Sequence, residues 1–326
     1  MKPPLLYFLP LCILSVPGHA CLWDRDTLVM EKARFPEAAD VIAGKFPRHS
    51  REFYAWRRTK SEAAVAQTPD ALALYDDLAV AQHKLGDHRA AIATMHAKEK
   101  VKPGIYETYS NLGTFHIYTG ELEEALKWID RALAINPNAH FGREKYQRWL
   151  VEWVQAGKPQ HLEALEEPAE STSPPVGFAR FILEKAGGDV KRGRDWGKHR
   201  AAALQGVLGM MRFADFDNPL LLEALGDVLM AGEDKENAGL LAAQAYLHGS
   251  RRSTTDAEKQ RLWKKMESAG RSMDSYVPRD TVRTLDIALL AGQNLAKAIR
   301  ANEIAWIRAG KDASAEFEKK YLKAAE

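Results

Sequence analysis

The sequence predicts an all-α protein: a short solenoid of antiparallel helical hairpins followed by a further helical region. Three observations carry this. Glycine turns recur 34 residues apart, at Gly86 and Gly120. The stretches on either side of each turn place apolar residues three and four apart, the spacing of one helix face. No alternating apolar and polar run of useful length, the mark of a half-buried strand, interrupts them.

Taken in order, the chain opens on MKPPLLYFLPLCILSVPGHAC. One lysine, an apolar run from Leu5 to Val16 too short to span a bilayer, and the small residues Gly18 and Ala20 are expected to form a signal peptide over 1–20, cleaved between Ala20 and Cys21. Cys12 would leave with it, so Cys21 would remain as a single thiol, unable to close an internal disulfide or build a cysteine-based metal site. Two fates stay open for Cys21: lipidation, as in a bacterial lipoprotein, or a free or intermolecularly paired thiol. Residues 21–49 are expected to pack against the first helices through Trp23 and its leucine neighbours; WDRD lacks the spacing of a metal loop.

Residues 50–154 form the predicted solenoid. SREFYAWRRTKSEAAVAQTP, 50 to 69, supplies the second helix of a degenerate first unit. Two full units follow, 72–105 and 106–139, and HFGREKYQRWLVEWV, 140 to 154, begins a third. Laid on itself at the 34-residue period, the chain aligns Tyr75 with Tyr109, Leu78 with Leu112, Ala79 with Gly113, Ala91 with Ala125, Met95 with Ile129 and Pro103 with Pro137. Small residues at Ala79, Gly113, Ala91, Ala125 and Ala132 let helix backbones approach one another, and the prolines cannot continue a helix interior. Gly113 is therefore expected to face the second helix of its own or an adjacent unit.

Residues 155–177, with Pro159, Pro168, Pro174, Pro175 and an acidic cluster, read as a linker. The region 178–326 returns to helical patterns at 178–186, 199–214, 219–232 and 236–250, then around 254–270, 280–300 and 301–325. Leu225-Gly226 ahead of a glycine turn, with Ala238, Ala242 and Ala245 beyond it, suggests one more hairpin of the repeat kind.

Residues 72–139 resemble two tandem tetratricopeptide repeats. The second carries that family's pattern at Tyr109, Leu112, Gly113, Gly120, Ala125, Ile129, Ala132 and Pro137; the first departs at Ala79 and at Lys98, which stands where the pattern has alanine. The resemblance implies a right-handed superhelix whose inner face, lined by the first helix of each unit, takes a partner peptide. The groove candidates it implies are Ala73, Asp76, Val80 and His83; Glu107, Ser110, Asn111, Thr114 and Ile117; and Phe141, Glu144, Arg148 and Val151. A carboxylate clamp of the kind some members carry is disfavoured by Asp76 and Asp77 at its start.

The chain has 326 residues, with 46 basic and 44 acidic side chains and a formal charge of +2, so no bulk attraction to nucleic acid is expected. There is no G-x-S-x-G, H-E-x-x-H, P-loop or glycine-rich dinucleotide loop. His83, His88 and His96 lack the spacing of a ligand pair, and Asp76, Asp77, Glu123 and Glu124 read as a solvated helix face. The basic stretch KRGRDWGKHR, 191–200, reads as a surface loop. No catalytic residue, metal or cofactor is expected. The function this favours is a noncatalytic interaction or scaffold module of the bacterial envelope, periplasmic or at the cell surface, with a protein or peptide partner, no nucleic acid, and a membrane only if Cys21 is lipidated. The alternatives are a hydrolase with its site between the solenoid and the C-terminal helices, or a lipid-anchored envelope assembly factor.

Overall fold

A computed structural model describes residues 22–33, 35–162, 175–188, 196–231, 235–271, 273 and 277–322. The predicted leader and Cys21, most of the predicted linker and residues 191–195 of the basic stretch lie outside them. Fifteen helices are described and no β-sheet is among the described residues.

Two short helices come first, α1 (Arg25–Lys32) and α2 (Ala38–Ile42), and then α3 (Arg51–Gln67) begins the stacked hairpins. Ser50 starts α3 by accepting from the Phe53 amide, which satisfies one of the donors a helix leaves open at its N-terminus. α4 (Leu72–Lys84) turns back as α5 (His88–Val101), and α6 (Tyr106–Tyr118) as α7 (Leu122–Ile135). Each turn needs a left-handed residue, and Gly86 and Gly120 supply it at φ +92° and +77°. Within the hairpins the small residues do what the spacing requires. Ala79, Ala91, Ala125 and Ala132 are fully buried. A Cβ added to Gly113 would stand 2.6 Å from Ile129 Cγ1 and 3.3 Å from the Ile129 amide nitrogen. Gly113 thus faces the second helix of its own hairpin.

α8 (Ala139–Gln155) stacks on α7 and hands the chain to the C-terminal helices α9 (Gly177–Lys185) and α10 (Trp196–Phe213). α11 (Pro219–Met230), α12 (Lys235–Arg252) and α13 (Asp256–Arg271) then pack in succession. The α11–α12 pair repeats the small-against-large device: a Cβ on Gly226 would meet the Tyr246 ring at 2.3 Å. This region carries the larger core, from Tyr146, Leu150 and Trp153 of α8 through Phe178, Val207, Met211, Leu225 and Tyr246 to Met266. One cluster of buried charges here is neutralised locally. Lys265 reaches Glu223 at 2.9 Å and Asp227 at 2.8 Å, and Tyr246 donates to Asp227 at 2.8 Å.

The C-terminus differs from the expectation of two stretches meeting near residue 300. α14 runs unbroken over Pro278–Arg308 and ends ahead of Gly310, at φ +69°, before α15 (Ala313–Tyr321). Residues 299–303 contain no glycine or proline, and Glu303 is held inside the helix by a job of its own, accepting from the Ser50 amide and from His49 Nδ1. With 31 residues, α14 is about 46 Å long. It packs on both α12 and α3, tying the C-terminal helices back to the start of the solenoid.

Candidate functional site

The predicted groove residues come from α4, α6 and α8, and the structure brings one set of them together. Asn111 Nδ2 donates to Asp76 Oδ1 at 3.3 Å, and Gln147 of α8 donates to the Thr114 hydroxyl at 3.1 Å. Glu144 lies against Ser110 and Tyr106, whose hydroxyls oppose the upward push that burial gives its carboxyl. Val80 is buried beside them in the repeat core. Other candidates point elsewhere. Ile117 packs with Ala125, Ile129 and Val151. Arg148 pairs with Asp130 and Glu152. His83 stacks on Phe115 and shares a hydrogen bond with His88, where burial holds its imidazole well below the ordinary range. Glu107 is half-buried, Ala73 is exposed, and the Phe141 side chain lies outside what is described.

Asp76 and Asp77 are corrected by the structure. Neither sits on a solvated face; they are 5% and 7% exposed. Lys98, itself 1% exposed, grips both Asp76 oxygens at 2.6 and 2.7 Å. Burial pushes the Asp76 carboxyl up to about 7, with the Lys98 ammonium opposing. The departure from alanine at position 98 is thus one half of a buried pair. Thr114 is likewise fully buried, in contrast to a position open to a partner.

What covers this face is the chain's own N-terminal segment. Trp23 donates its main-chain amide to Asn111 Oδ1 at 2.9 Å and accepts from Asn111 Nδ2 through its carbonyl at 2.9 Å. One carboxamide therefore satisfies both polar groups of one peptide residue. The Arg25 amide donates to Asp77 Oδ1 at 3.1 Å. Leu22, 1% exposed, joins Tyr75, Val80, Leu112 and Phe115 in the repeat core, and the Trp23 ring stands edge-on to Tyr106 at 5.4 Å.

Helix α1 continues from this anchor. Asp24 caps it by accepting from the Thr27 amide at 2.8 Å. Arg57 of α3 bonds Asp26 and lies 3.6 Å from Asp77, and Arg143 of α8 pairs with Glu31 at 2.8 Å. Burial, with the Asp26 and Asp77 carboxylates adding to it, raises Asp24 to about 7. Burial also raises Asp77, against the pull of Arg57. The arrangement holds an extended main chain followed by a short helix whose carboxylates, Asp24, Asp26 and Glu31, are buried or paired.

Among the described residues no group of three or more His, Cys, Asp or Glu side chains is placed to hold a metal ion, and no helix is long and apolar enough to cross a membrane. Trp196, read with its basic neighbours as part of a surface loop, begins α10 and is 4% exposed, closed to stacking on a base. The sequence set Trp23 and its acidic neighbours against the first helices without naming Asn111 as a partner, and it missed Arg57 and Lys98 as parts of this face. Only Lys98 carried a signal, as a long cation at a position of close helix approach.

Residues 106–139 match the family model for the tetratricopeptide repeat. No curated protein matches the chain. The chain thus carries a helical region like the tetratricopeptide repeat within an all-α fold that repeatedly pairs successive helices as hairpins.

Proposed function

We propose that the protein is a noncatalytic binding module whose α4–α6–α8 face takes an extended peptide main chain, with Leu22–Asp26 seated there in cis and a partner segment of similar chemistry competing for it in trans. The observation that carries this is the paired hydrogen bond between Asn111 and the Trp23 main chain. A carboxamide that meets both the amide and the carbonyl of one residue reads backbone rather than side chain, so a foreign segment can make the same bonds. The partner segment is a leucine or comparable apolar residue, one residue of any kind, then acidic residues facing Arg57. The compartment we propose is the bacterial envelope, on the leader-like pattern of residues 1–20.

The test uses Leu22→Asp, which places a charge in the repeat core and so unseats the segment. A synthetic peptide of residues 22–32 is expected to bind this variant and not the wild-type chain, and adding Asn111→Ala is expected to abolish that binding. The same peptide should compete with whatever the variant captures from an envelope extract. No binding by Leu22→Asp, or binding indifferent to Asn111→Ala, contradicts the proposal.

A further inference from the structure

A cavity of about 220 Å³ lies between the solenoid and the C-terminal helices, walled by α1, α3, α4, α10 and the segments 46–51 and 214–217. Four of its lining residues are cationic, Arg48, Arg51, Lys84 and Arg212, against two carboxylates, Asp215 and Asp217. None of the four cations forms a salt bridge among the described residues. Each instead donates to a main-chain carbonyl. Arg48 bonds Gly44 O, Arg51 bonds Leu85 O at 3.2 Å, Lys84 bonds Phe213 O at 2.6 Å and Ala214 O at 3.3 Å, and Arg212 bonds Met30 O at 2.8 Å. Both carboxylates act through space on these cations, Asp215 on Lys84 and Asp217 on Arg48; Asp217 also pairs with Arg252 at 3.0 Å, and Asp215 accepts from the Tyr118 hydroxyl at 3.3 Å.

Carbonyls satisfy hydrogen bonds without cancelling charge. Arg212 is the plainest case. It is 8% exposed; its guanidinium lies over the Phe35 and Phe213 rings at 5.0 and 5.2 Å, and its Nε and Nη1, closed to solvent, have no hydrogen-bond partner among the described residues. An arginine keeps its charge at ordinary pH, and the carboxylate acting on Arg212, Glu31, already pairs with Arg143 at 2.8 Å, so an anion in the cavity would complete the neutralisation. Burial lowers Arg212 to about 10 and lowers Lys84 and Arg48 as well, outweighing the opposing pull of Glu31 on Arg212, of Asp215 and Asp24 on Lys84, and of Asp217 on Arg48. Two planar guanidinium forks and an ammonium lining one cavity suit an oxyanion with several acceptor oxygens. The volume is below the roughly 300 to 1,000 Å³ of pockets that take larger organic ligands.

We propose that this cavity is a binding site for a small tetrahedral oxyanion, a phosphate or phosphate monoester, held by Arg48, Lys84 and Arg212 and entered past the exposed Arg51. Thr27 and Met30 of α1 also line it, and Arg212 holds the Met30 carbonyl near the end of α1. The bound anion therefore stabilises the seated N-terminal helix.

Isothermal titration of the full chain in a chloride buffer, with inorganic phosphate, sulfate and succinate as probes, tests the site. Phosphate and sulfate should bind at one site and raise the melting temperature, and succinate, a longer anion with its charge at two ends, should bind at least about tenfold more weakly in a cavity of about 220 Å³. Arg51→Ala, an exposed position, should weaken phosphate about tenfold while leaving the phosphate-free melt unchanged. Arg212→Met should remove phosphate binding yet melt no lower than wild type in chloride alone, because it deletes a buried charge without a salt bridge of its own. Failure of the wild-type chain to bind phosphate or sulfate overturns the site. Preference for succinate overturns the ligand class. An Arg212→Met chain that melts lower in chloride yet binds phosphate as wild type does assigns Arg212 to packing and also overturns it.

Discussion

Replacing Lys98 with methionine isolates the buried pair beneath the concave face. The substitution keeps the unbranched stem and removes the ammonium, leaving the Asp76 carboxyl 5% exposed with Asn111 Nδ2, at 3.3 Å, as its remaining donor. Breaking a buried pair from one side costs about 3 to 5 kcal/mol. The carboxyl has an escape, because it can take up a proton and become neutral. The wild-type carboxyl, already raised to about 7, holds that proton at pH 5.5 and is mostly ionised at pH 7.5, so the charge–charge part of the pair is present at pH 7.5 and largely absent at pH 5.5. Urea denaturation followed by circular dichroism at the two pH values reads the difference. Lys98→Met should lose more at pH 7.5 than at pH 5.5, by about 1 kcal/mol, and adding Asp76→Asn should restore most of the loss at pH 7.5. An equal loss at both pH values, or one below about 1 kcal/mol at pH 7.5, refutes the reasoning.

Three further outcomes follow from the same geometry. Gly113→Leu drives its Cβ to 2.6 Å from Ile129 Cγ1, so overpacking of about 1 to 3 kcal/mol should outweigh a helix-propensity gain under about 1 kcal/mol in urea melts. Thr114→Ala removes the acceptor of the Gln147 amide in a buried setting and should cost about 1 to 2 kcal/mol, more than a groove-surface position would. The Asp24 pKa is raised on folding, so the seated state binds the extra proton; its contribution is complete below about pH 4 and is lost as pH rises through about 7. Limited proteolysis within residues 22–33 should accordingly speed up between pH 5 and pH 8, beyond the change in protease activity on a control peptide.

The hairpin architecture was legible because its causes are local. Gly113 and Ile129 are 16 residues apart on one hairpin, and the glycine turns between them need only a left-handed residue to be recognised. The same locality located the Gly226 hairpin, whose glycine meets Tyr246. The groove was legible as a face but not as a filled one. Asn111 and Trp23 are separated by 88 positions, and nothing in either stretch announces the other. Asp76 and Asp77 looked solvated because their partners, Lys98 and Arg57, lie on neighbouring helices and not one turn away on the same helix. The cavity cations were invisible for a similar reason: Arg48, Lys84 and Arg212 are scattered along the chain and meet only when α10 packs near α1 and α4.

Hydrogen exchange of the N-terminal segment, resolved to single amides, tests the central account most directly. The Trp23 and Arg25 amides donate to Asn111 and Asp77, whereas an unattached segment exposes both to solvent. In the wild-type chain both should exchange far more slowly than in a free peptide of residues 22–32. In Asn111→Ala the protection of Trp23 should collapse while that of the α6 and α7 amides persists. Exchange of the wild-type Trp23 and Arg25 amides at the free-peptide rate would contradict the account, because the concave face would then stand open rather than hold its own N-terminal segment.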